Sequence, residues 1–84
     1  MYSTYILESK TSGRLYIGQT QDLEKRLIRH NSGLNLSTKI RGPWDLLFFK
    51  EFLTRAEAVQ LEIKLKRFKN PAKVKDWISK PDIF

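Results

Sequence analysis

The sequence predicts an α+β protein in which a three-stranded antiparallel sheet is flanked by helices in the order β-β-α-β-α-α. Three observations carry that expectation. Tyr2 to Leu7 and "RLYIGQ" are β-branched and aromatic runs on either side of the turn residues "SKTSG". "TRAE", Thr54 to Glu57, has the form of a capping box and leads into apolar residues at helical spacing. Asn70-Pro71 pairs an N-cap residue with a proline suited to the first helical position, which restarts a helix. In 84 residues no repeat, low-complexity tract or Pro/Gly/Ser linker intervenes, so residues 1–84 read as one domain.

The first two strands should form a hairpin whose turn falls within residues 9–13. A helix follows, with Thr20 as the expected N-cap, Asp22 and Glu24 in its first turn, and Leu23 and Leu27 on one face. It should end near "HNSG", where Gly33 can take positive φ. Residues 34–43, "LNLSTKIRGP", lack a period and read as an exposed loop. "WDLLFFKEF", residues 44–52, is apolar enough to be a third strand, central or nearly so. Ala58, Leu61, Leu65 and Phe68 mark the packing stripe of the second helix. Val74, Trp77 and Ile78 mark the stripe of the third, which Pro81 stops.

Charge is the strongest bulk signal. Sixteen Lys and Arg against nine Asp and Glu give +7, and residues 64–75, "KLKRFKNPAKVK", hold six cations and no acid. Such an excess suits a polyanionic partner or a solvated lysine-rich face. The chain has no cysteine, which excludes disulfides and thiolate zinc sites and fits a cytoplasmic protein. Its longest apolar run, Leu46 to Phe49, is far short of the roughly 20 residues of a membrane helix, so no membrane partner is expected.

Several chemistries are excluded. His30 is the sole histidine, so neither a Ser-His-Asp relay nor a His/Cys metal cluster is supported, and there is no phosphate-cradling glycine loop. The nine acids show no spacing that would bring three carboxylates together for a two-metal site. A sparser set is left. Arg26 and His30 lie four apart on the first helix, beside its apolar stripe. Glu62 falls about 80° from the centre of the second helix's stripe, beside the core rather than in it. Tyr5 and Tyr16 flank the hairpin turn and come opposite or diagonally near one another, according to a register the sequence leaves open. Each residue also has an ordinary structural reading: a stem-packing arginine, a helix C-terminal histidine, a surface acid, a cross-strand aromatic pair.

"TYIL", then "YIG" at Tyr16 to Gly18 with ten residues between Tyr5 and Tyr16, then "DLEKRLIRHNSG" with Arg26 ten positions beyond Tyr16, resemble the GIY-YIG nuclease superfamily. The likeness is strongest to its small single-domain bacterial members related to the excision-repair nuclease subunit, and it covers virtually the whole chain. The first triplet departs from the pattern: it reads Ser3-Thr4-Tyr5 and keeps only the tyrosine.

The resemblance implies a nuclease that hydrolyses phosphodiesters with one divalent metal, Mg²⁺ or Mn²⁺. It assigns catalytic roles to Tyr5, Tyr16, Arg26, His30 and Glu62, the metal to Glu62, and a backbone role to Gly18. Asn70 stands only eight residues after Glu62 and is left to its N-cap role. Lys39, Arg41, Lys64, Lys66, Arg67, Lys69 and Lys73 would grip backbone phosphates with little regard to sequence. DNA is favoured over RNA by the resemblance alone, and DNA repair or the processing of branched structures is a role it suggests. Two alternatives stay open at this level: a catalytically weak nucleic-acid-binding module of the same fold, and a protein-interaction domain with a basic face.

Overall fold

The computed structural model describes residues 1–31 and 43–80. Strands β1 (Tyr2–Ser9), β2 (Leu15–Thr20) and β3 (Trp44–Phe52) form one antiparallel sheet in the order β2-β1-β3; helices α1 (Leu23–Asn31), α2 (Arg55–Arg67) and α3 (Pro71–Ile78) complete the described chain. None of the described helices is long and apolar enough to cross a membrane.

The hairpin turn is built by Ser9, whose Oγ accepts from the Thr11 and Ser12 amides while Gly13, at φ 75°, donates its N–H to the Ser9 carbonyl. A positive φ there is what glycine supplies without steric cost. The turn sets the register. Tyr5 faces Gly18 and Leu7 faces Tyr16, so the two tyrosines are diagonal neighbours on one face.

β1, not β3, is the central strand, and the expectation from "WDLLFFKEF" is corrected. In β3 only Trp44 is buried, and Phe49 is 48% exposed. Apolar content misled because centrality depends on covering both faces. Ser3 to Leu7 are all buried, polar residues included. Thr4 bears its burial because its hydroxyl donates to the Ala58 carbonyl at 2.6 Å.

The start of α1 is also corrected. Thr20 folds its hydroxyl onto the Asp22 amide, 3.2 Å, and Asp22 caps the helix by accepting from the Lys25 N–H at 3.1 Å. A carboxylate at this end also suits the helix dipole. Gly33, the 34–43 loop up to residue 42, and Pro81 lie outside the described residues. At the other end of α1, Asn31 clamps the helix to β3: its Oδ1 accepts from the Trp44 N–H at 2.7 Å and its Nδ2 donates to the Trp44 carbonyl at 3.2 Å.

α2 begins as expected, with the Thr54 hydroxyl accepting from the Glu57 N–H; the Glu57 carboxylate, though, accepts from the hydroxyl itself rather than from the Thr54 amide. Asn70 caps α3 through the Ala72 N–H at 2.8 Å. Between the two helices Lys69 sits at φ 53°, a left-handed conformation that costs a non-glycine residue about 1 kcal/mol.

The sheet separates two clusters. Tyr5, Leu7 and Trp44 pack with Tyr16, Leu23 and Leu27 on the α1 side, and Ile6, Leu65 and Val74 pack with Ile17, Phe48, Leu61 and Trp77 on the other. Alternation along β1 sends Tyr5 to one cluster and Ile6 to the other.

Candidate active site

Four of the residues singled out from sequence meet on the α1 side of the sheet. The Tyr5 and Tyr16 rings stack with centroids 6.3 Å apart and planes 25° from parallel. His30 lies 4.6 Å from the Tyr16 ring centroid, and its Nε2 is 3.1 Å from the Tyr5 hydroxyl. Trp44 closes the group edge-on to Tyr16 at 6.3 Å.

Gly18 is the fourth member. It stands opposite Tyr5, and a Cβ there would fall 2.8 Å from the Tyr5 hydroxyl oxygen. Only glycine leaves the phenol its place, so the motif glycine acts by having no side chain.

His30 lies in the last turn of α1, in line with its ordinary reading as a helix C-terminal histidine, and is buried there, 1% exposed. It follows Leu23 and Leu27 by seven and three residues, which continues the inward stripe. The Asn31 clamp fixes the turn of helix that carries it.

Electrostatics separates the roles of this group. Burial first, then the neighbouring Tyr16, pushes the Tyr5 hydroxyl up to about 12 against the lowering influence of Arg26, with Glu62 adding to the rise. Burial, then Arg26 and Arg29, hold the His30 imidazole below its usual value. A neutral imidazole and a protonated phenol share this hydrogen bond in a direction set by the tautomer: with the ring proton on Nδ1, Tyr5 O–H donates and Nε2 accepts.

Arg26 and Glu62 therefore belong to the same electrostatic neighbourhood, although they come from different layers. Arg26 is half-buried on α1, one turn before His30. Glu62 stands on α2 with its side chain 19% exposed and its carboxylate held by Lys66 at 2.6 Å. Its charge still bears on Tyr5, since β2 is an edge strand and α2 packs against it.

The structure distributes the basic run over several faces. Lys66 and Lys69 look onto the outer edge of β2, beside Arg14 and Tyr16. Lys64 lies over the Trp77 ring at 4.9 Å, in a separate groove with Lys50 and Phe52. Lys73 lines a third groove with Phe68, Asp76 and Lys80, and Arg67 is exposed. Lys39 and Arg41 lie outside the described residues.

A second set of cations was missed in the sequence. Lys25, Arg29 and Arg55 line, together with Arg26 and Gln19, a cavity of about 310 Å³. Lys25 and Arg29 were legible as helical neighbours of Arg26. Arg55, reaching in from α2, was not. The Gln19 Oε1 is buried there with no hydrogen-bond partner among the described residues.

Among the described residues no three histidine or carboxylate groups converge. Glu62 is the carboxylate whose charge bears on Tyr5, and a hard cation that keeps most of its water ligands fits such a donor set.

Residues 1–75 match the family model described as the GIY-YIG catalytic domain. A UPF0213 protein of Staphylococcus saprophyticus is 42% identical over 72 residues, covering 84% of this chain and 87% of the relative, and one from Streptococcus pneumoniae is 41% identical over 70 residues, covering 82% and 70%. The solution NMR structure of a UPF0213 protein from Bacillus halodurans aligns with a TM-score of 0.58 at 33% identity, over 94% of this chain and 84% of that one. The diagonal tyrosine pair and the glycine that makes room for it are thus set in a fold and sequence shared with these relatives, and the chain belongs to the GIY-YIG family of nuclease catalytic domains.

Proposed function

We propose that this protein is a divalent-metal-dependent endonuclease that hydrolyses DNA phosphodiester bonds, with Tyr5, Tyr16, Arg26, His30 and Glu62 as its reacting centre. The observation that carries the reading is the Tyr5–His30 contact of 3.1 Å beside a stacked Tyr16. A phenol alone is a poor base near neutrality. In the tautomer whose ring proton is on Nδ1, the phenol's proton is aimed at a neutral imidazole, and the pair becomes a relay.

In that relay the attacking water gives a proton to the Tyr5 oxygen as the Tyr5 proton passes to His30 Nε2. The water oxygen bonds to phosphorus, and the bond to the leaving alkoxide breaks. Tyr16 holds the approach from the stacked side. Arg26 offers a planar fork of donors to the phosphoryl oxygens as charge builds on them. Glu62 would hold Mg²⁺ or Mn²⁺, which when bound would supply further neutralisation of those oxygens and of the leaving group. Lys66, whose ammonium now holds the Glu62 carboxylate at 2.6 Å, would be freed toward phosphate if Glu62 held a cation.

The cations around Arg26 and on the β2 edge support a backbone-directed, sequence-tolerant grip on DNA. RNA offers the same phosphates, and DNA is preferred on family membership. Cytoplasmic repair or processing of branched DNA, by residues 1–84 as one domain, completes the reading.

The test is incubation with supercoiled plasmid and with branched oligonucleotides in Mg²⁺, Mn²⁺ or chelator. Nicking that requires the cation is expected. Binding without cleavage under every condition would convert the protein into a nucleic-acid-binding module.

A further inference from the structure

At the Thr20 end of β2, four cations gather around the cavity of about 310 Å³: Lys25, Arg26 and Arg29 from α1, and Arg55 from α2. A grip on the internal phosphates of a strand spreads its cations along the backbone; here four share one cavity. Asp22 is the one acid among the lining residues, and its Oδ1 is engaged in capping α1 through the Lys25 N–H. No described carboxylate pairs with Lys25, Arg26 or Arg55. Like charges lining one cavity repel one another, and an anion between them relieves that repulsion.

Arg55 is prepared for such an anion. Its guanidinium lies over the Tyr2 ring at 5.3 Å, and the Tyr2 hydroxyl accepts from the Gln21 side-chain amide at 2.9 Å. A ring partner takes the face of the guanidinium and leaves its fork of N–H donors for an oxyanion.

Gln19 adds an independent observation. Its Oε1 is buried in the wall of this cavity with no hydrogen-bond partner among the described residues, and a buried acceptor left unpaired costs stability. A fitting occupant therefore brings several anionic oxygens and one donor.

Those requirements separate the two kinds of phosphate that a nucleic acid offers. A phosphodiester within a strand carries a single charge and has no proton to give. A phosphomonoester at a strand end has three terminal oxygens and a charge of about −1.5 to −2 at pH 7, and the fraction that keeps its second proton, lost at about pH 6, supplies an O–H. Such an end is also what the proposed cut creates, because water adds to phosphorus, the alkoxide leaves, and one diester becomes a monoester and a hydroxyl. Arg26 lines this cavity and is the residue assigned to the scissile phosphoryl group, so the new end forms beside it.

We propose that this cavity is a site for the terminal phosphate of a nucleic-acid strand, and that it retains the phosphorylated end released by the cut. The retention rests on the nuclease reading; the binding of a phosphorylated end does not.

The experiment compares, in chelator and at one salt concentration, three short blunt duplexes of the same sequence with an internal fluorescein. Their ends carry 5′-phosphates, 3′-phosphates or hydroxyls alone. At least one phosphorylated form should bind about tenfold tighter than the hydroxyl form, the scale of a charge-assisted contact, and the form that does so identifies the end that fits. Arg55→Gln and Lys25→Gln should each bring that ratio down toward about twofold, a partial loss of the same contact. Both residues are exposed, so neither change threatens the fold. Three duplexes that bind the parent alike, or a preference that both variants retain, overturns the proposal. Plasmid nicking in Mg²⁺ then separates the two readings. A preference for phosphorylated ends without nicking supports the site and defeats the nuclease, whereas nicking without that preference supports the nuclease and overturns the site. Where both are found, the phosphorylated duplex should inhibit nicking at about a tenth of the concentration that the hydroxyl form requires, in step with its affinity; equal inhibition overturns the retention.

Discussion

The two faces of the sheet are made by alternate residues of the same strands, yet they are built to different ends. On the α2 and α3 side, Ile6, Leu65 and Val74 form an apolar core with Leu61, Phe68 and Trp77 around it. On the α1 side the buried groups include Tyr5 and His30, a hydroxyl and an imidazole within hydrogen-bond distance. Burying polar groups costs stability unless they are paired. A chain this small has little core to spare, so a polar cluster on one face leans on dense packing on the other. The difference is that one face is an apolar core, while the other also holds the residues of the proposed reacting centre.

The largest effect should come from the residue that breaks this division. Glu62 stands on the helix of the packing face but bears on the chemical one. Glu62→Gln keeps shape and helix propensity and should abolish nearly all metal-dependent cleavage, while DNA binding persists or tightens through loss of a repulsive charge. Glu57→Gln, which can still complete the N-terminal cap, is the control and should cleave like the parent. Parental activity in Glu62→Gln at saturating DNA and Mg²⁺ would return that residue to the surface.

A crossed pair sharpens the comparison. Tyr5→Phe should slow cleavage by about 10² to 10⁴-fold while the protein stays folded, at a stability loss of about 1–3 kcal/mol for the buried His30 left without its phenol. Leu65→Ala should cost about 2–5 kcal/mol in denaturant unfolding, with cleavage per folded molecule preserved. If Tyr5→Phe unfolds the protein or cleaves normally, the two faces do not differ in the way described.

Gly18→Ala is a smaller perturbation of the chemical face. The added methyl meets the Tyr5 hydroxyl at 2.8 Å and must push it off His30. Cleavage should fall by about tenfold or more, within the range for a displaced proton acceptor, and far-ultraviolet circular dichroism should stay unchanged.

Proton linkage gives two further signatures. His30 has its folded pKa lowered, so its contribution to stability is present above the ordinary value of 6.5 and is lost as pH falls through the depressed value. Tyr5 has its folded pKa raised, so its contribution is complete below 10.0 and is lost as pH rises toward about 12. Melting temperatures from pH 7 down to about pH 5, across the ordinary histidine range, should fall more in the parent than in His30→Gln. Parallel curves would show that the imidazole titrates as if exposed.

The smallest effect concerns the basic run. Because its cations are spread over several grooves, Lys66→Gln should flatten the salt dependence of duplex binding by about one unit of slope, and Lys73→Gln by less. Equal losses would mean that one continuous face binds the duplex.

Much of this molecule is written locally. The Ser9–Gly13 turn, the Thr54 cap and the Asn70-Pro71 restart involve residues within a few positions of one another, so the chain itself discloses them. The runs around Tyr5, Tyr16 and Arg26 likewise carry the resemblance to the family without any geometry. Other features depend on partners distant in sequence. That β1 rather than β3 is central follows from which strands are covered on both sides, and the sequence of β3 carries no record of it. The burial of His30 depends on Asn31 clamping Trp44, 13 positions away, and the hairpin register decided that the tyrosines meet diagonally across Gly18. The sequence by itself determined which groups are available for chemistry, because side-chain identity is local. Only the tertiary structure decided which of them touch and what charge they carry, because distance and burial are properties of the packed chain.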